Sequence, residues 1–483
     1  MLFSRIVTAQ ENTGDSHFPV NYEQLKVAIK DAKGLMEYLS TQRKSEWMKI
    51  VHEFLKDDPI FLTREQRKIL ADQIAVDQES IAAITEYQQM RYGAYPDEAW
   101  WYFLARLDDP DEKVRLGAVN ALSWIYLDNE NYIEEIARVL IEMMNKDVAQ
   151  ADHYAVAKVI DLLKKKAQSG SKEAKRLLQE GADVSLKQFD LIESDKKEYP
   201  YPGGAAGIFI AGLQDQKLNK AVYKLLGKLG SSNQWVRQST ESAFYQLLPT
   251  LQSKLLEDVV KTFLIHIRGQ DGESAYKTIE VLGRISFPID QQLMEQVVER
   301  LIIHLKDIGM VRREAARSLG SISPLLSDGQ LEKSFKALLN NTGDDSHEIR
   351  REVMRALSET VSYLPEPLVK EAIPTFLVRL EDQDQLTRQE AQSGLNNAAL
   401  RLNGESLEEL AEMLIGKLQH PDEYVRGAAA LVLKDQVIDR LPDGQFDKAI
   451  EAIEQALKIE ERGWIQDNLN FLLQSLKKHK KVQ

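Results

Sequence analysis

MVRREAARSLGSI (residues 310–322) and EIRREVMRALSET (348–360) decide how this chain folds. Both open on an apolar residue and an arginine, and both continue with small and apolar residues at helical spacing. The same grammar returns as LTRQEAQSGLNNA (386–398) and YVRGAAALVLKDQ (424–436). The arginines are Arg312, Arg350, Arg388 and Arg426, each 38 residues after the last. Two earlier copies are LDDPDEKVRLGAVNAL (107–122), with Arg115, and WVRQSTESAF (235–244), with Arg237. Arg237 precedes Arg312 by 75 residues, which leaves room for one repeat without the arginine. That repeat is ESAYKTIEVLGRI (273–285), where Leu282-Gly283-x-Ile285 matches Leu319-Gly320-x-Ile322. A fixed period of this size signals a stacked repeat architecture.

Each unit reads as two helices. In VKEAIPTFLVRLEDQDQLTRQEAQSGL (369–395) the first runs to Leu380, a polar turn covers 381–385, and the second begins near Thr387. Asp in the turn caps the next helix, and Pro is tolerated at a first helical position. Neither helix can bury its apolar stripe alone, so neighbours must stack. The fold class is all-α, a right-handed α-solenoid of stacked helix pairs.

The pattern resembles HEAT repeats. The matching features are the Asp-containing turn, the Val-Arg step opening the second helix, the Ala/Leu-Gly run after it, and Pro374 within a first helix. The resemblance covers about 97–440 and departs at Ala275 and at the weak copy near 150. It implies second helices on the concave side and an Asp–Arg ladder between repeats. That ladder would use Arg115, Arg237, Arg312, Arg350, Arg388 and Arg426, with Asp109, Asp307, Asp345 and Asp382 as partners.

Composition narrows the functional classes. The 483 residues hold no cysteine, which excludes disulfides, Cys-ligated metals and thiol nucleophiles. The N-terminus lacks the unbroken apolar region of a secretory signal, and no stretch approaches the length of a membrane span. A soluble cytoplasmic protein is expected, with no membrane association. A net charge of −13 works against nonspecific nucleic-acid binding.

Five regions are expected. Residues 1–95 form an N-terminal helical cap region, in which Thr63 and Gln66 suit a capping box. Residues 96–166 are a first arm of repeats, and 167–216 an irregular linker with a Gly/Pro-rich loop. Residues 217–440 are a second arm, and 441–483 capping helices with a basic tail. Within the linker, 169–181 reads as a short helix and 182–204 as loop.

The loop YPYPGGAAG (199–207) carries three glycines but lacks both the preceding strand and the Gly-Lys-Ser/Thr of a phosphate cradle. It reads as a break in the repeat array, followed by a short apolar helix that reseals the core. His52-Glu53 and His347-Glu348 invite comparison with deoxyhypusine hydroxylase, a HEAT-like family that holds two irons on His-Glu pairs. That resemblance implies four such pairs at equivalent positions, and two unmatched pairs do not converge. No metal or cofactor is expected, and no nucleophile–base motif stands out. The run Trp100-Trp101-Tyr102-Phe103 must send at least one ring away from the core. It reads as a junction packing the cap against the first repeat.

Helical phase locates the candidate binding face. If Val311, Ala315, Leu319 and Ile322 face the core, Arg313 and Arg317 point away, as do Arg351 and Arg355 one repeat on. Tyr276 holds the corresponding place one repeat earlier. The bland alternative is a solvated face with intrahelical pairs to Glu314 and Glu352. The expected function is a non-enzymatic scaffold or adaptor that holds a protein partner, an acidic segment, in its concave groove. The alternatives are a nucleic-acid-binding protein similar to HEAT-like DNA glycosylases and, further off, a His-Glu iron hydroxylase.

Overall fold

The computed structural model describes residues 132–145, 153–195, 203–267, 273–442 and 446–481 without interruption. Before residue 132 it describes 29, 31–40, 42, 44–55, 62–75, 100–107, 109–110, 114–115, 118 and 122. Among these residues every regular element is helical and none is a strand. The chain divides into two compact units, 1–243 and 244–483.

The first unit begins with α1 (Ala32–Leu39), α2 (Lys44–Leu55), α3 (Arg64–Ala75) and α4 (Trp100–Arg106). The capping box before α3 is present. The Thr63 N–H donates to Gln66 Oε1 at 2.9 Å, and the Gln66 N–H to Thr63 Oγ1 at 3.3 Å. In α4, Phe103 is buried and Arg106 lies over the Tyr102 ring, while the side chains of Trp100 and Trp101 are outside the described set. The Tyr-Pro steps at 199–202 also lie outside the described residues.

The next helices are α5 (Ile133–Asn145), α6 (His153–Gln168), α7 (Lys172–Asp195), α8 (Gly203–Ile210) and α9 (Asp215–Leu226). Here the expectation of an irregular linker over 167–216 is corrected. Residues 181–195 belong to α7, a helix of 24 residues. Leu177, Leu178, Ala182, Leu186 and Phe189 fall on one stripe and are buried, and α7 packs against α5, α6 and α8. Gly181 does not break the helix, because the Phe209 ring occupies the space a side chain would need. The glycines expected to break the array ahead of a short apolar helix lie inside that helix: α8 starts at Gly203 and includes Gly204 and Gly207.

The division between units falls inside α10 (Gln234–Leu247). The second unit then alternates outer and inner helices. The outer layer holds α11 (Ser253–His266), α13 (Gln291–His304), α15 (Asp328–Leu339), α17 (Glu366–Arg379), α19 (Gly404–Lys417) and α21 (Phe446–Ile459). The inner layer holds α12 (Glu273–Leu282), α14 (Gly309–Ile322), α16 (His347–Val361), α18 (Gln385–Arg401), α20 (Glu423–Val432) and α22 (Gly463–Lys481). Val311, Ala315, Leu319 and Ile322 are all buried, so the phase read from the sequence holds. Pro374 sits inside α17, as expected.

Candidate functional site

The inner helices present two rows of charge. The first row lies at their N-terminal ends. Each repeat arginine reaches back to carbonyls of its own turn: Arg115 to Asp109 at 2.6 Å, Arg237 to Ser231 at 2.7 Å, Arg312 to Asp307 at 2.6 Å, Arg350 to Asp344 at 2.8 Å, Arg388 to Asp382 at 2.7 Å and Arg426 to His420 at 2.9 Å. Three also grip a carboxylate of the next repeat. Arg312 binds Asp344, Arg350 binds Asp382 at 2.8 and 2.9 Å, and Arg426 binds Glu460 at 2.6 and 3.1 Å. That carboxylate also accepts N–H groups at the start of its own second helix, as Asp382 does from Asp384 at 3.0 Å.

The ladder expected over six arginines is therefore seen at three of them, Arg312, Arg350 and Arg426, with corrected partners. Asp344 takes the place expected of Asp345, which offers Arg350 only its carbonyl at 3.0 Å. Asp307 meets Arg312 through its carbonyl, and the Asp109 carboxylate is taken by Arg106 at 3.2 Å. The deciding position is six residues before the arginine, where a carboxylate can cap the helix and still face the preceding repeat. Glu460 holds that position before Gln466, which replaces the arginine in the last repeat and donates to the Glu460 carbonyl. Burial works against the Asp382 and Glu460 carboxylates, yet their guanidinium partners keep both below the usual range.

The second row contains the predicted site residues. Arg313 faces Glu348 at 3.6 Å. Arg317 binds Glu352 at 2.9 and 3.2 Å and Glu314 at 3.2 Å. Arg351 binds Asp384 at 3.2 Å, and Arg355 binds Glu390 at 3.0 Å and Glu352 at 3.5 Å. The structure thus brings the four arginines together across α14 and α16, each holding a carboxylate, and three bridging to the next helix with strong hydrogen bonds. Glu314 and Glu352 are only 3% and 4% exposed, so these links neutralise buried charge rather than leave a basic patch. Burial, with Glu280 and Glu352 nearby, still lifts the Glu314 pKa.

Tyr276 is half-buried on α12, with Lys277 5.1 Å above its ring, and burial beside Glu280 and Glu314 raises its phenol pKa. Next to it, α12 ends one turn early at Leu282. A cleft of about 290 Å³ opens there, lined by Tyr245, Glu280, Arg284, Glu314, Arg317 and Ser321 among others.

Sequence reasoning missed an exposed apolar row two residues before the ladder arginines. Met310, Leu386, Tyr424 and Trp464 occupy it, each between 44% and 49% exposed. The far end of the Trp464 ring sits against Gly427, where a side chain would meet it at 2.1 Å, and Phe471 is exposed two turns on along the same helical face. The spacing of 38 residues between Leu386 and Tyr424 was the available signal.

Other features offer less. Gly207 lies against the Ala243 carbonyl, where an added Cβ would stand 2.1 Å from the oxygen, so this glycine serves close packing. His347 is the first residue of α16. Among the described residues no three His, Asp or Glu side chains gather in a way that could hold a metal ion. No helix among them is long and apolar enough to cross a membrane.

No family model matches the chain, and no curated protein matches it. Solved structures do. A Kap121p variant matches with a TM-score of 0.56 at 15% identity, covering 92% of this chain and 48% of that one. Kap121p bound to Nup53p matches with a TM-score of 0.54 at 12% identity, covering 96% of this chain and 50% of that one. This chain thus spans about half the length of these neighbours. Such low identity establishes architecture alone. The repeat period, the paired helices and these neighbours together make the chain an all-α solenoid of HEAT/armadillo-like helix pairs.

Proposed function

We propose that this protein is a non-enzymatic scaffold that binds a partner protein along the inner-helix face of its second unit. One observation carries the reading: six inner helices present successive polar and aromatic groups on a preformed, charge-neutralised surface. Its structural neighbour Kap121p uses the same fold in a complex with Nup53p. Arg313, Arg317, Arg351, Arg355 and Tyr276 form the charged half of this face. Trp464 and Phe471 form an aromatic half, the kind of rigid anchor on which binding energy concentrates.

The pairing of the arginines refines the partner's chemistry. An acidic segment must share each guanidinium with a carboxylate already in place, so charge attraction adds specificity more than affinity. A nucleic-acid backbone finds no free basic row here, and the net charge of −13 opposes it.

The test is capture of partners from lysate on immobilised protein, with variants chosen to keep the fold. Arg313→Gln/Arg355→Gln removes two half-exposed guanidiniums while Arg317 still neutralises Glu352. Trp464→Ala/Phe471→Ala removes the aromatic anchors. A partner held by wild type and lost by either folded variant supports the reading. Equal capture on all three baits, or capture dependent on nucleic acid and abolished by nuclease, overturns it.

A further inference from the structure

The links between successive inner helices are not uniform, and one junction differs from its neighbours. Between α14 and α16 the turn edge is tied by Arg312–Asp344, and the opposite edge by Ser323 Oγ and Thr360 Oγ1 at 2.9 Å. Between α16 and α18 the turn edge carries Arg350–Asp382. The opposite edge carries Asn397 Nδ2 to the Ser358 carbonyl at 2.8 Å and Arg401 to the Leu364 carbonyl at 3.1 Å. Between α20 and α22, Arg426–Glu460 ties the turn edge, and Lys434 reaches Asn468 at 2.9 Å further along.

Between α18 and α20 the turn edge has no arginine–carboxylate pair among the described residues; Glu381 spans it instead, paired with Lys417 and facing His420. The carboxylate position is His420. Its Nδ1 accepts the Asp422 N–H at 3.1 Å, and its Nε2 faces Glu381 at 3.3 Å. Arg388 is left stacked on the Tyr424 ring at 4.4 Å, with its Nε buried and unpartnered. The second row of charge also stops here, because Gln389 and Ser393 stand where Arg351 and Arg355 stood. The opposite edge is firmly held. Arg440 donates to the carbonyls of Ala399, at 2.6 Å, and Leu402, and to Asn403 Oδ1 at 3.2 Å. In the outer layer α11, α13, α15 and α17 follow one another in contact and α19 packs on α21, but α17 and α19 touch less. Ties from this repeat to α19 include Ser406 Oγ to the Glu366 carboxylate, Lys417 to Glu381 at 2.7 Å and the exposed pair Lys370–Glu409 at 2.5 Å. Exposed ion pairs hold weakly and tolerate movement.

We propose that α19–α22 swing as one block against α13–α18, hinged on the Arg440 clasp and opening at the Arg388–His420 edge. A cation–π contact lets Tyr424 slide beneath Arg388, whereas a bidentate carboxylate would fix the register. The hinge falls between the charged and the aromatic halves of the inner face, so it sets their spacing. This inference rests on junction geometry and stands whether or not that face binds a protein.

The chain has no cysteine, so introduced pairs label uniquely. Spin labels at Asp345→Cys and Glu461→Cys span the hinge. Labels at Ile308→Cys and Gln383→Cys span two tied junctions as a control. The expected result is a broad distance distribution across the hinge and a narrow one in the control. His420→Asp restores the carboxylate and should narrow the first distribution to the control's width. His420→Asn, which can cap but not pair, should leave it broad. Arg440→Ala, breaking the clasp, should broaden it further. A narrow wild-type distribution across the hinge overturns the proposal. So does equal narrowing by His420→Asp and His420→Asn, or a distribution that His420→Asp leaves unchanged.

Discussion

Asp382 shows how much one turn residue carries. It accepts Arg350 from the preceding repeat and the N–H of Asp384 in its own, and its carbonyl holds Arg388. Its side chain is 2% exposed, so removing Arg350 leaves a buried charge held by the Arg379 guanidinium alone, at 3.2 Å. Arg350→Ala should cost about 3 kcal/mol in urea unfolding, and Asp382→Asn distinctly less, because an amide needs no counter-charge. Two residues on, Asp384 gives a pH signature. Burial pushes its pKa up, but Arg351 and the Thr387 N–H and O–H bring it to about 2, against an ordinary 3.8. The fold favours the charged form, so this stabilisation is complete above about pH 4 and is lost as the pH falls toward 2. Asp384→Asn should flatten that acid limb of the stability profile. The 38-residue spacing located the turn arginines, and helical phase put Arg313, Arg317, Arg351 and Arg355 off the core. Neither gave their partners, because Asp344 and Asp345 differ only in which of them caps the helix and faces back. The pairing of the second row was legible in principle: Glu314, Glu352 and Glu390 recur every 38 residues, two places after each arginine.

At the scale of the helix, glycine misled and then informed. The stretch after Gly181 reads as loop, yet the Leu, Ala and Phe stripe continues through it, and α7 runs on past Gly181 because Phe209 fills the gap. A sequence window cannot see a ring arriving from α8. Gly207 faces backbone, which cannot move aside, so Gly207→Ala should destabilise by roughly 1–3 kcal/mol by overpacking. Gly427 faces only the far end of Trp464, which can swing out. Gly427→Ala should therefore leave the unfolding midpoint nearly unchanged while shifting Trp464 emission toward that of a solvated indole. If both substitutions cost the same, the packing described for α8 or for α22 is wrong.

For the whole molecule, stability in a stacked array is a sum over repeats and their junctions. A junction lacking its arginine–carboxylate pair should then open before the others. Native-state hydrogen exchange should show the amides of α20 opening at lower free energy than those of α14 and α16, with His420→Asp closing the difference. Exchange that is uniform from α14 to α20 would contradict this. Two interruptions of the ladder within the second unit also differ in kind. At one, both halves are absent together: Ala275 replaces the arginine and Lys306 occupies the position six residues before the next one. At the other, Arg388 persists and only its carboxylate is gone. Considered as inheritance, the unit of duplication is a socket on one side and a plug on the other. Any repeat bearing both can be copied in place without rewriting its neighbours. Descendants of such copying would lengthen this protein between Arg312 and Asp382, where plug and socket match, and not across His420.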